Sequence, residues 1–129
     1  MLVVDVSAVA GWLLPDEMGL DLSTLAATHE VFCAPWLLWA EFRNILIVNE
    51  RRGRLPQGMA DQLIEAVDAL GIVLDTNPSN AAVLALSRKH GLTVYDALYL
   101  DLALRNDASF ATLDGKLVQA SRAEGVTVV

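Results

Sequence analysis

Short apolar, β-branched runs alternate along this chain with longer stretches whose apolar residues recur at helical spacing. Residues 2–6 read as a buried strand. Ser7 is placed to cap a helix running to about Leu14, where Pro15 stops it. Residues 31–34 form a second strand. Pro35 then opens a long helix to about Arg51, because a proline in the first turn forgoes no hydrogen bond. Residues 57–70 are helical up to Gly71, residues 72–74 give a third strand, and Asn77-Pro78 starts a helix closed by His90 and Gly91. Thr93 caps a helix over 94–106. Residues 109–112 make a fourth strand, 115–124 the last helix and 126–129 a closing strand.

Strands that alternate with helices require crossover connections, which are right-handed and leave neighbouring strands parallel. The expected fold class is therefore α/β, a three-layer sandwich with a mainly parallel central sheet flanked by helices. In such folds the functional crevice lies beyond the carboxyl ends of the strands. Asp5 stands at the end of the first strand and Asp114 follows the fourth, so acids mark that rim.

Composition narrows the class. The 129 residues suit one domain, and 54% hydrophobic against 19% charged residues exclude disorder. A mean hydropathy of +0.43 fits a sheet covered on both faces, an apolar surface kept for a partner, or both. No run approaches the roughly 20 uninterrupted apolar residues of a membrane span. The opening also lacks the basic start of a secretory signal, so no membrane association is expected. The single cysteine, Cys33, excludes an internal disulfide and fits a cytoplasmic location. Its apolar neighbours make it a buried structural thiol. A net charge of -7 is wrong for a nucleic-acid binder unless part of the acidity is concentrated where cations neutralise it.

The distribution of the acids then matters. Glu41 lies in one of the most apolar stretches, three residues from Leu38 and four from Ile45, on a stripe of large apolar side chains. An ionised carboxylate there must be paired, protonated or metal-bound. Asp96 also reads as the acid of a capping box with Thr93, and Asp114 as the N-cap of the last helix. Asp5 could be a plain strand terminator, although an acid inside Leu2-Val3-Val4-Asp5-Val6 is uncommon. Taken together, the four come from a strand end, an apolar helix, a helix start and a second strand end. Close like charges raise one another's pKa unless a cation is present, and an oxygen-only set selects Mg²⁺ or Mn²⁺ over Zn²⁺. Asp101 is five residues past Asp96, about 140° round the helix, and Arg105 four residues on is a ready partner; we set it outside the cluster.

Four motifs at this point resemble the PIN domain, and within it the VapC-type toxins of toxin–antitoxin pairs. They are Val4-Asp5-Val6-Ser7-Ala8, Ala40-Glu41-Phe42-Arg43-Asn44, Tyr95-Asp96-Ala97-Leu98-Tyr99 and Ala111-Thr112-Leu113-Asp114. The likeness runs in order over nearly the whole chain and implies a single PIN-like domain over residues 1–129. It further implies a ribonuclease dependent on Mg²⁺ or Mn²⁺. Asp5, Glu41, Asp96 and Asp114 would be its catalytic and metal-holding residues, and Ser7, Asn44 and Thr112 its supporting residues. Relatives often carry a small or apolar residue in place of Asp101. The resemblance also implies an antitoxin protein as partner and a homodimer. Trp36 and Trp39, three apart on one helical stripe, are candidate interface anchors, with core packing an equal alternative. Arg51, Arg52 and Arg54 are the densest basic group; a solvated helix end is the first reading of them and RNA steering the second.

Two other functions fit less well. A phospho-receiver domain needs a phosphorylatable acid at the end of a middle strand, for which Asp75 is the one candidate. A catalytically silent binding module on the same scaffold has no need of all four acids.

Overall fold

The computed structural model describes residues 1–14 and 19–129. Its centre is a four-stranded parallel sheet in the order β3-β2-β1-β4. The strands are β1 (Leu2–Val4), β2 (Phe32–Pro35), β3 (Val73–Asp75) and β4 (Ser109–Ala111). Leu2 and Val3 of β1 pair with Phe32 and Cys33 on one side. On the other side Leu2, Val3 and Val4 pair with Ser109, Phe110 and Ala111. β1 is thus an inner strand, and its three side chains are fully buried, as its unbroken apolar run requires.

Seven helices among the described residues surround the sheet: α1 (Val6–Leu13), α2 (Leu22–Leu25), α3 (Leu37–Arg51), α4 (Met59–Asp68), α5 (Asn80–His90), α6 (Val94–Arg105) and α7 (Gly115–Ala123). α6 lies on β1, β2 and β4 and is flanked by α5 and α7, while α1 packs with α2 and α3, and α3 with α4. This is the expected three-layer α/β arrangement. Ala97 to Ala103 of α6 are all buried, which explains why that stretch is apolar apart from Asp101 and the Tyr99 hydroxyl. Gly91 closes α5 with φ +62°, a conformation that strains any residue bearing a Cβ. No helix among the described residues is long and apolar enough to cross a membrane.

Several boundaries differ from expectation. Asp5, not Ser7, caps α1: its backbone is extended and its carboxylate accepts from Ala8 N–H at 2.9 Å. Pro35 is the last residue of β2, paired with Asp75, and the helix begins at Leu37. Ser79 caps α5, and 126–129 contributes only a bridge between Phe110 and Val128. Helix α2 is too short for any periodicity; Asp21 caps it and Leu22 is buried. The stop expected at Pro15 falls outside the described residues.

Asp101 is 2% exposed, and Arg105 Nε donates to it at 2.8 Å. The same guanidinium donates to both oxygens of Asp75 at 2.7 and 3.3 Å, which ties α6 to β3. The pairing expected for Asp101 is therefore present. Asp75 is correspondingly unsuited to phosphorylation: β3 is an edge strand and its acid is already bound by arginine.

The two tryptophans are not core residues, since Trp36 is 45% and Trp39 56% exposed. They also open on different grooves. Trp36 lines an apolar groove of about 420 Å³ with Leu37, Val83, Val94, Tyr95 and Leu98. Trp39 lines a smaller one with Phe42 and Ile72, and Arg43 stacks 3.9 Å over its ring.

Candidate active site

Crossovers carry four acids to one edge of the sheet. Asp5 leaves β1, and Asp114 lies three residues beyond β4 as the cap of α7, accepting from Leu117 N–H at 2.9 Å. Asp96 is in the first turn of α6, where its N–H donates to the Thr93 hydroxyl at 3.1 Å. Glu41 reaches in from α3. The capping roles of Asp96 and Asp114 are real, and they coexist with membership of the cluster.

Electrostatics link all four. Burial pushes the Asp5 carboxyl above its ordinary value; hydrogen bonds from Ser7, Thr112 and Ala8 oppose this, and the charge of Asp114 adds to it. Burial also raises Glu41, helped by the charges of Asp96 and Asp5 and opposed by the Tyr99 hydroxyl. Asp96 is raised by burial and by Asp114, against the Thr93 hydroxyl and the Lys116 ammonium. Asp101 contributes to none of these three shifts.

Asp5 is held by a small network that joins the ends of β1 and β4. Its Oδ1 accepts from the Ser7 hydroxyl at 2.6 Å as well as from Ala8 N–H, and its Oδ2 accepts from the Thr112 hydroxyl at 2.5 Å. Each hydroxyl in turn accepts from the loop beyond β4: Ser7 from Leu113 N–H at 2.9 Å, Thr112 from Asp114 N–H at 3.1 Å. Two backbone donors of the Asp114 loop are thereby relayed onto the Asp5 carboxylate. Asn44 differs: it is exposed, and no hydrogen bond among the described residues joins it to the acids.

Two further residues border the cluster. Tyr99 donates to Glu41 Oε1 at 2.5 Å. Burial and the adjoining Glu41 push its phenol far above its ordinary pKa, so it stays a donor. Its signal in the sequence was a hydroxyl on an apolar helix, three residues from Asp96 and so on the same side. Lys116, two residues after Asp114, donates to the Gly91 carbonyl at 2.5 Å and bears on Asp96.

The residues able to hold a cation are Asp5, Glu41, Asp96 and Asp114. Among the described residues no three acids, histidines or cysteines form a ready-made metal cage. The donor chemistry nevertheless fits a hard divalent ion: oxygen alone, three carboxyls raised by burial and mutual repulsion, and Lys116 as the cation that eases Asp96.

Comparison with known proteins gives the family. The PIN domain profile matches residues 2–123. The chain belongs to the PIN-domain family. It is 34% identical over 122 residues to Ribonuclease VapC3 of Pyrobaculum aerophilum, covering 92% of each chain. Among solved structures it resembles PAE2754 of Pyrobaculum aerophilum, with TM-score 0.78, 23% identity, and coverage of 99% of this chain and 90% of that one. It also resembles FitAcB of Neisseria gonorrhoeae, with TM-score 0.67, 19% identity, and coverage of 99% and 96%. At these identities the structural likenesses speak for the fold alone.

The raised carboxyls make a pH prediction for this PIN domain. An acid whose folded pKa is raised binds more protons folded than unfolded, so its contribution is full at low pH and is lost as pH rises through the folded value. Asp5, Glu41 and Asp96 act this way above the ordinary carboxylate range. Asp21, lowered to about 2, and Asp75 and Glu124, also lowered, act oppositely and below it. With chelator present, the thermal midpoint is expected to fall as pH rises above the ordinary carboxylate range, through the raised values of these three acids. A scan of midpoint against pH checks this, and a rise above that range would count against the burial of these acids.

Proposed function

We propose that this chain is a metal-dependent endoribonuclease that hydrolyses RNA phosphodiester bonds as the toxin of a toxin–antitoxin pair. The observation that carries the reading is the convergence of Asp5, Glu41, Asp96 and Asp114 from four separate elements, three of them raised by burial and by one another's or Asp114's charge. The 34% identity to a protein named as a ribonuclease supports the activity. FitAB, a neighbour of the same fold, was solved bound to a DNA fragment, and the antitoxin partner is part of this proposal rather than of that likeness.

In this reading the four acids hold Mg²⁺ or Mn²⁺. When bound, such an ion lowers the pKa of a water and offsets charge developing on the phosphate. Asp114 is exposed and Asp96 half-buried, which leaves these two able to orient the attacking water or accept its proton. Ser7 and Thr112 keep Asp5 in place, and Asn44, three residues from Glu41 on α3, is the third supporting residue of this reading. Lys116 offers a positive charge to the RNA backbone. Arg51, Arg52 and Arg54 are all exposed at and just beyond the end of α3, in keeping with a solvated helix end as their first reading and RNA steering as the second. The exposed grooves beside Trp36 and Trp39 suit a homodimer and an antitoxin, in a cytoplasmic setting.

Purified chain incubated with single-stranded RNA is expected to cleave it with Mn²⁺ or Mg²⁺ and to stop on chelation; cleavage that persists in chelator would overturn the metal-dependent reading. Expression is expected to arrest growth, with relief by a co-expressed small neighbouring protein. Normal growth with soluble protein confirmed on a gel would remove the toxin role.

A further inference from the structure

Tyr99 is 1% exposed and held from two directions. Its backbone belongs to α6, and its ring stacks on Phe110 of β4, with centroids 6.3 Å apart and planes 7° from parallel. Phe110 is itself in register with Val3, two residues before Asp5. The phenolic oxygen is therefore fixed by the same frame that fixes Asp5. Glu41, by contrast, sits half-buried on a flexible side chain, and the Tyr99 hydroxyl is its one hydrogen-bond partner among the described residues. That bond occupies Oε1 and leaves Oε2 unengaged.

We infer that Tyr99 is a positioning residue that, through its hydrogen bond to Oε1, fixes the orientation in which the Glu41 carboxylate would meet the divalent cation. This rests on the metal-site reading above. The physical reason is preorganisation. A carboxylate free to rotate loses conformational freedom on binding an ion, whereas one already pinned by a rigid donor has less to lose.

The test is Mn²⁺ binding to the chelator-stripped full chain, read by calorimetry, with thermal midpoints measured in chelator alongside. Tyr99→Phe keeps the ring and its stack on Phe110 but removes the hydroxyl. It is expected to weaken Mn²⁺ binding by roughly 10–100-fold, the usual cost of losing a partner that orients a metal ligand. In a Glu41→Ala background the same change is expected to have no further effect, because the group it orients is gone. A purely structural role would lower the midpoint equally in both backgrounds and leave affinity alone. Unchanged affinity in Tyr99→Phe, with binding lost in Asp5→Asn, would overturn the positioning role and leave the site standing. A further loss of affinity in the Glu41→Ala background would overturn it too. Absence of Mn²⁺ binding by the parent chain would overturn the site and the positioning role together.

Discussion

Asp5→Asn and Asp96→Asn are each expected to lower RNA cleavage by roughly 10²–10³-fold, since a bound metal supplies several kcal/mol at the transition state and each 1.36 kcal/mol is tenfold in rate. Asp5→Asn is the more informative of the two. The asparagine carbonyl can still accept from Ala8 N–H and Ser7, so the cap of α1 survives. Only the Thr112 hydroxyl must turn, because an amide NH₂ cannot accept from it. The substitution also removes a buried charge that desolvation penalises. Activity should therefore fall while the thermal midpoint in chelator, near neutral pH, holds or rises. Initial rates on a fluorogenic RNA at saturating Mn²⁺, beside a melting curve, give both readings. Cleavage within about tenfold of the parent would mean that Asp5 holds no catalytic ion.

Arg105→Ala is expected to do the reverse, costing about 3 kcal/mol of stability with the cleavage chemistry intact. It strands Asp101, a carboxylate almost wholly enclosed by α6 and its neighbours, and removing one partner of a buried pair leaves an uncompensated charge. It also frees Asp75 from the end of β3, loosening an edge strand. The double variant Arg105→Met with Asp101→Leu should recover most of the loss, because a buried pair replaced by apolar groups of similar volume is often neutral. Urea unfolding of the three proteins measures this. A loss below about 1 kcal/mol for Arg105→Ala would mean that water already reaches Asp101. The two predictions separate acids that look alike in the sequence: Asp5 and Asp101 are both buried, but Asp5 belongs to the proposed catalytic cluster and Asp101 to an ion pair.

That separation was partly legible from spacing. Asp101 lies too far round α6 from Asp96 to share its side, and Arg105 was in reach four residues on. Glu41 stood out because an acid among Leu38, Phe42 and Ile45 needs a partner. What spacing could not supply was that partner: Tyr99 is 58 positions away and meets Glu41 only once α6 is laid on the sheet. The role of Ser7 was misread for a related reason. As a small hydroxyl beside a helix start it fits a cap, but the strand ends two residues early and Asp5 takes the cap position. Ser7 is then free to bond the Leu113 N–H. The tryptophans could not be assigned at all, because helical periodicity shows which residues share a side and not what covers that side.

The sequence by itself determined the alternation of buried strands and helices, the caps at Thr93 and Asp114, the closure of α5 at Gly91 and the presence of acids at strand ends. These follow from forces that act within a few residues: backbone hydrogen bonding, capping, and the period of apolar side chains. Strand order and helix placement instead bring Asp5, Glu41, Asp96 and Asp114 within reach of one another's charge, let Thr112 grip Asp5 from 107 positions away, and bury Asp101 against Arg105. Both the order and the placement are set by packing the whole core, so no local stretch of the chain contains these pairings.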